Sequence, residues 1–276
     1  MKIAVLSGKG GTGKTTVSSS LAFISKMLLI DTDIEEPNSH IFLKGGIDDI
    51  KSVYTRFPEV NMEKCNLCGE CGEFCKFNAI IPAKKRVIVF GEACHDCGGC
   101  EIVCKNGAIS WEKREIGKTF TGKTYFNSTN KYGKLNIGEM SGVKIIKEIY
   151  KNTVEKDFLI DCPPGTACTT VSAVEVADFA IIVVEPSPFG LSDMKLVVQL
   201  LRDMKIPFGV VINKFDEDEN IVKKYCDNEK IEIIGTIPFD RKIAEAYSKG
   251  EIIADALLEY RENFETILKR VKSYGN

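Results

Sequence analysis

The chain's most specific chemistry lies in two cysteine runs, CNLCGECGEFC at 65–75 and CHDCGGCEIVC at 94–104. Each has the form C-x2-C-x2-C-x3-C, and each is followed by a related tail, KFNAI and KNGAI. The second run is therefore a repeat of the first, offset by 29 residues (residue 94 against residue 65). Together they hold eight of the eleven cysteines. Thiols this close in sequence are metal ligands rather than disulfide partners when nothing else marks a secreted domain. Zinc also uses C-x2-C pairs, but a third cysteine three residues later and a duplicated frame do not suit a tetrahedral ion.

A second kind of chemistry occupies residues 8–15, GKGGTGKT, which match G-x-x-x-x-G-K-[ST] after an apolar run and before a helical one. In that context glycines let backbone N–H groups approach phosphate, and a helix N-terminus adds a favourable dipole. The candidate nucleotide contacts are Gly8, Lys9, Gly10, Gly11, Thr12, Gly13, Lys14, Thr15 and Thr16. Lys14 is expected on the β- and γ-phosphates and Thr15 on Mg²⁺. NKFD at 213–216 matches N-K-x-D, by which a carboxylate reads guanine, so GTP stays open beside ATP.

The elements that must position these groups are short apolar runs closed by polar residues. KIAVLS, MLLIDTD, FLIDCPPG, FAIIVVEP, FGVVINK and IEIIGTIP read as buried parallel strands. Helical stretches separate several of them, among them GKTTVSSSLAFISK, GLSDMKLVVQLLRDM and NIVKKYCDN. Such alternation predicts an α/β fold with a mostly parallel sheet, helices on both faces and ligands at the strands' carboxyl ends. The alternation stops between about residues 50 and 138, where the cysteine runs give way to hairpin-like REIGKTFTGKTYFNSTNKYGKLNIG. SGVKIIKEIYK resumes the helices. The domain reading is 1–60, the first part of the nucleotide-binding fold; 61–112, an inserted domain; and 113–276, a hairpin tether and the rest of the fold.

The formal net charge of −2 gives no general pull toward nucleic acid or anionic membrane. No apolar run reaches the roughly 18 residues of a membrane span, and MKIAVLSGKG lacks a signal-peptide h-region. The expectation is a cytoplasmic protein with no nucleic-acid partner and no stable membrane insertion.

Lys9, followed by Gly-Gly, resembles the deviant phosphate loop of the MinD/ParA/Mrp and nitrogenase iron-protein group of P-loop ATPases; the resemblance covers about residues 1–50 and 138–276. It implies a nucleotide-dependent homodimer in which Lys9 reaches the partner subunit's nucleotide. One ammonium near a γ-phosphate contributes about 4 kcal/mol at an effective dielectric of 20, before desolvation. The resemblance also implies that Asp33, second acid of DTD, orients the attacking water. Asp161 would organise Mg²⁺ through its water shell, and Gly165 would sense the γ-phosphate. Asn213 and Pro238, the latter in GTIPFD, match the adenine side. Lys9, Lys14, Asp33 and Asp161 are thus the expected catalytic set.

The cysteine runs are similar to those of bacterial two-cluster ferredoxins, over residues 61–112. That similarity implies an inserted small α+β domain with two 4Fe–4S clusters and crossed ligation. Cys65, Cys68, Cys71 and Cys104 would hold one, and Cys94, Cys97, Cys100 and Cys75 the other. The usual proline after each fourth cysteine is replaced by Lys76 and Lys105, cations that favour the reduced cluster. His95 reads as a surface residue, Cys162 and Cys168 as small apolar residues with a metal role open for Cys168, and Cys226 as inert. The C-terminal stripe Phe264, Ile267, Leu268 and Val271 reads as a helix packed on the sheet. The combined expectation is an ATPase, with ATP and Mg²⁺, that gates electron transfer to a partner metalloprotein or metal-cofactor assembly protein. A cluster carrier or maturation ATPase is the alternative, though the C-terminal C-x2-C of Mrp-type carriers is not found. A MinD-like spatial organiser with structural clusters is a third.

Overall fold

The computed structural model describes residues 1–216 and 221–274. Its elements begin with β1 (Lys2–Leu6), α1 (Lys14–Ser25), β2 (Leu28–Asp31), α2 (Ser39–Leu43), β3 (Ile47–Val60), α3 (Glu70–Phe74), β4 (Ile80–Pro82) and β5 (Val87–Val89). There follow α4 (Gly99–Val103), β6 (Ile109–Lys123), β7 (Thr129–Leu135), α5 (Val143–Lys151), β8 (Phe158–Asp161), α6 (Cys168–Val174) and β9 (Phe179–Val184). The chain ends with α7 (Pro188–Asp203), β10 (Phe208–Phe215), α8 (Ile221–Glu229), β11 (Ile233–Pro238), α9 (Arg241–Ser248), α10 (Ile253–Ala256) and α11 (Leu258–Ser273). Asn220, which opens the predicted NIVKKYCDN helix, and the last two residues of the chain lie outside the described residues.

Two compact bodies share the chain. The first comprises Met1–Lys51, Thr119–Lys134 and the residues from Ile145 onward; the second comprises Ser52–Lys118 and Leu135–Lys144. The first body is built on the sheet run β11-β10-β9-β1-β8-β2-β7. β1 pairs in parallel with β8 and β9, and β2 pairs in parallel with β8 and β7. The runs read as buried parallel strands are buried throughout at β2, β8 and β9, as strands covered on both faces must be. This is the α/β P-loop NTPase fold. Register brings Asp161 beside Val5 on one side and Asp31 on the other, so both acidic strand ends fall beside the loop that follows β1.

The C-terminal helix α11 buries Phe264, Ile267, Leu268 and Val271, as its spacing predicts. Gly235 on β11 makes room for it: a Cβ there would lie 2.3 Å from Ile267 Cγ1. β6 and β7 are neighbouring strands, in line with the hairpin reading, and their turn is closed by the Thr124 N–H on Ser128 O at 2.9 Å. β3 was not legible in the sequence. Over its fourteen residues only Val53, Thr55 and Pro58 are buried, so it shows neither an apolar run nor a clean alternation.

In the second body the repeat is written into the backbone. Leu67 and Asp96, 29 residues apart, are both left-handed (φ 59° and 53°), and so are Gly69 and Gly98 (φ 91° and 78°). The short helices α3 and α4 follow each glycine, and after them Asn78 and Gly107 turn left-handed again (φ 51° and 60°). β4 and β5 pair antiparallel between the two halves of the repeat.

Candidate functional site

α1 begins at Lys14, directly after Gly13, whose φ of 95° only glycine adopts at low cost. No side chain caps that end, so the first N–H groups of the helix remain for an anion. A cavity of about 400 Å³ opens there. It gathers the predicted Gly10, Gly11, Gly13, Lys14, Thr15, Thr16, Asp33, Asn213 and Pro238, together with Phe239 and Tyr247, which were not foreseen. The other predicted residues surround the cavity without lining it. Gly8 lies so close to α7 that a Cβ would come within 2.4 Å of Asp193 backbone atoms. Gly165 is left-handed (φ 83°) and donates its N–H to Ser7 O at 2.9 Å. Thr12 is buried, and its carbonyl accepts from Asn213 Nδ2 at 2.7 Å. Lys9 Nζ sits 3.6 Å from Glu185 Oε2, and Lys214 Nζ sits 2.5 Å from the same carboxylate's Oε1.

Three acids gather here, Asp33 lining the cavity and Asp31 and Asp161 buried beside the loop that follows β1. Asp31 is fully buried and accepts from the N–H groups of Asp33, Asn38 and Ser39, each at 3.0 Å. Asp161 is also buried, and its Oδ1 has no hydrogen-bond partner. Burial pushes the Asp161 carboxyl up to about 8, and the charge of Asp31 adds to this, while bonds from Thr15 and Ser18 and the Lys14 ammonium pull the other way. Burial likewise pushes Asp33 up to about 6, again with Asp31 adding to the rise and Lys14 opposing it. An orphaned buried carboxylate oxygen near the P-loop threonine is what Mg²⁺ with its water shell needs. The residues present therefore fit the ion.

The eight cysteines of the repeat are divided between two cavities in the second body. One is lined by Cys65, Cys68, Cys71 and Cys104, with Leu67 and Lys105. The other is lined by Cys75, Cys94, Cys97 and Cys100, with Phe74, Phe77, His95 and Trp111. The fourth cysteine of each run thus stands with the first three of the other. The donor set fits thiolates that carry negative charge: the N–H groups of Ala79 and Ala108, four residues on, point at Cys75 Sγ and Cys104 Sγ at 3.3 Å. The Asp96 N–H reaches Cys94 Sγ at 3.4 Å. Burial pushes the Cys100 thiol up to about 11, with the Cys94 charge adding; ligation would reverse that by deprotonating it. Among the described residues no three His, Cys, Asp or Glu side chains converge on a single metal ion.

His95 is exposed, as expected, and its ring stacks on Phe77 with centroids 3.8 Å apart. Cys162 and Cys226 are buried, whereas Cys168 is exposed at the start of α6. What sequence reading missed most is an ion cluster behind the second run. Asp96 accepts from Arg56 N–H at 3.2 Å, from Arg56 Nε at 3.0 Å and from Lys144 Nζ. Burial raises the Asp96 carboxyl, but the bonds from Lys144 and Arg56 outweigh it and hold the group below the usual range. Its partners are 40 and 48 positions away, beyond any local pattern.

The description CobQ/CobB/MinD/ParA nucleotide binding domain matches residues 3–253. An uncharacterised protein of Methanocaldococcus jannaschii is 34% identical over 285 residues, which are 99% of this chain and 97% of that protein. An iron-sulfur cluster carrier protein of Pyrococcus horikoshii is 27% identical over 303 residues, 99% of this chain and 88% of that one. Among solved structures, the septum site-determining protein MinD of Pyrococcus horikoshii, complexed with Mg-ADP, superposes with a TM-score of 0.60 at 20% identity, covering 100% of this chain and 97% of that one. Among the described residues no helix is long and apolar enough to cross a membrane.

Proposed function

Because the chain belongs to the CobQ/CobB/MinD/ParA nucleotide-binding family, we propose that it is an ATP-hydrolysing iron–sulfur protein whose nucleotide state gates electron delivery from two 4Fe–4S clusters. The receiver is a partner metalloprotein or a metal-cofactor assembly protein. One observation carries this reading: a phosphate-binding cavity and two four-cysteine cavities of crossed membership occur in one chain.

Lys14 would neutralise charge on the β- and γ-phosphates, and Thr15 with Asp161 would hold Mg²⁺. Asp33, on the cavity wall, orients the attacking water and accepts its hydrogen bond most strongly when ionised. Asn213 holds the phosphate loop through Thr12 O. Pro238 and Phe239 line the cavity on the base side, whereas Asp216 is exposed and is not among the lining residues, which supports adenine over guanine. Lys9, freed from Glu185, would reach the nucleotide of a second subunit, so that ATP closes a homodimer. Cys65, Cys68, Cys71 and Cys104 hold one cluster, and Cys75, Cys94, Cys97 and Cys100 the other. A cluster held by four thiolates would not require them to converge on one ion, in keeping with the absence of a single-ion site among the described residues. When bound, the clusters supply one-electron chemistry at low potential. The chain's part is to present the thiolates and to donate N–H groups to the sulfurs of Cys75, Cys94 and Cys104.

The test is anaerobic reconstitution, with iron and sulfide counted per chain and midpoint potentials followed by EPR with and without MgATP. Eight irons and a nucleotide-dependent shift are expected; midpoints indifferent to nucleotide would sink the gating. The carrier reading is favoured by the name of the Pyrococcus horikoshii relative. It predicts rapid passage of iron and sulfide to an apo-acceptor, which electron gating does not require.

A further inference from the structure

The two halves of the repeat share their backbone but carry very different side chains at the first left-handed position. In the first loop it is Leu67, which lines the first cysteine cavity. In the second it is Asp96, whose side chain is only 8% exposed and faces two cations. Arg56 approaches from β3 with both its N–H and its Nε. Lys144 approaches from the start of α5 and also donates to Thr55 Oγ1 at 2.8 Å. The Arg56 guanidinium carbon lies 4.9 Å from the Trp111 ring centroid, and Trp111 lines the second cavity. Near the first cavity the ion pair is Lys105 with Glu70, the lysine side chain 83% exposed.

We propose that Asp96, with Arg56 and Lys144, is a positioning set that holds the second cysteine loop and tunes the electron affinity of that site alone. The inference rests on the cluster reading above and adds that the two sites are not equivalent. The Asp96 N–H already touches Cys94 Sγ, so its carboxylate fixes the loop that presents that thiolate. The Asp96 carboxylate is enclosed, so its charge is little screened by salt, whereas an exposed pair is largely screened. Moving one charge of the buried group therefore acts on the nearer site far more than on the other. Loss of the carboxylate leaves two cations uncompensated and favours the reduced state. Loss of the Lys144 ammonium leaves a carboxylate less compensated and disfavours it.

The experiment is a redox titration by EPR on the full chain, wild type against Asp96→Asn and Lys144→Gln. Cys104→Ser and Cys75→Ser identify which signal belongs to which site. Asparagine keeps an acceptor for Arg56, so the loop can still form. The expected result is an upward midpoint shift at the second site in Asp96→Asn and a downward one in Lys144→Gln, with the first site still. A purely structural role would move both variants in the same direction or only lower cluster content. Clusters that form but shift together, or do not shift, overturn the inference and leave the cluster reading standing. A wild-type chain that takes up no iron overturns both.

Discussion

Gly13 is constrained twice, by its φ of 95° and by Asn213 Nδ2, which a Cβ would meet at 2.3 Å. Gly13→Ala should lose about 1–2 kcal/mol from backbone handedness. It should also displace Asn213 from Thr12 and weaken nucleotide binding at least tenfold; urea unfolding and nucleotide titration measure the two effects separately. The acids make a different prediction. Burial and the charge of Asp31 raise the Asp161 carboxyl well above its ordinary range, which favours its protonated form in the nucleotide-free protein, and Mg²⁺ favours the carboxylate. MgATP binding at pH 7 should therefore release a proton, seen as a heat that varies with buffer ionisation enthalpy; equal heats in all buffers would contradict it. Because the folded pKa lies above the model-compound value of 3.8, Asp161's contribution to stability is complete below about 3.8 and is lost as pH rises through about 8. The nucleotide-free protein should accordingly gain stability on acidification from pH 8 to 6 as far as this group is concerned. Hydrolysis runs the opposite way: it should decline as pH falls through about 6, where Asp33 takes up a proton, and Asp33→Asn should abolish that limb together with the activity. The phosphate loop and the cysteine runs were legible because their chemistry is local. The bond from Asn213 to Thr12 spans 201 positions and that from Lys144 to Asp96 spans 48, and no spacing rule reaches so far.

Elements whose faces are wholly buried announced themselves, and those set mainly in solvent did not. β2, β8 and β9 are buried from end to end, and α11 shows its stripe at helical spacing. β3 has just three buried positions, so its strand form comes from pairing with β6 rather than from an apolar pattern. The stripe on α11 should be costly to erode. Ile267 is fully buried over Gly235, and Ile267→Ala should destabilise the protein by about 2–5 kcal/mol in urea unfolding. An exposed neighbour such as Lys269→Ala should stay within about 0.5 kcal/mol.

For the molecule as a whole, the crossed membership of the cysteine cavities has a measurable sign. Cys75→Ser should remove the cluster of the second run, although residue 75 belongs to the first, and Cys104→Ser should do the converse; iron counts and EPR signals tell the two apart. The second body also draws on two separate stretches of chain, Ser52–Lys118 and Leu135–Lys144. The short stretch is bound to the long one by the Arg114–Glu139 and Lys144–Asp96 ion pairs and by the Asn136 N–H on Ile116 O at 2.9 Å. A gene deletion confined to 61–112 would take Asp96 away from Lys144 while leaving Arg114 and Ile116 behind, and should give an unstable remnant rather than a trimmed ATPase. A protease that nicks the backbone once, after Lys51 or after Lys118, should leave a chain that migrates as two fragments in denaturing gels yet as one particle in native ones. The insertion behaves less like a cassette than like a stitch passed twice through the cloth.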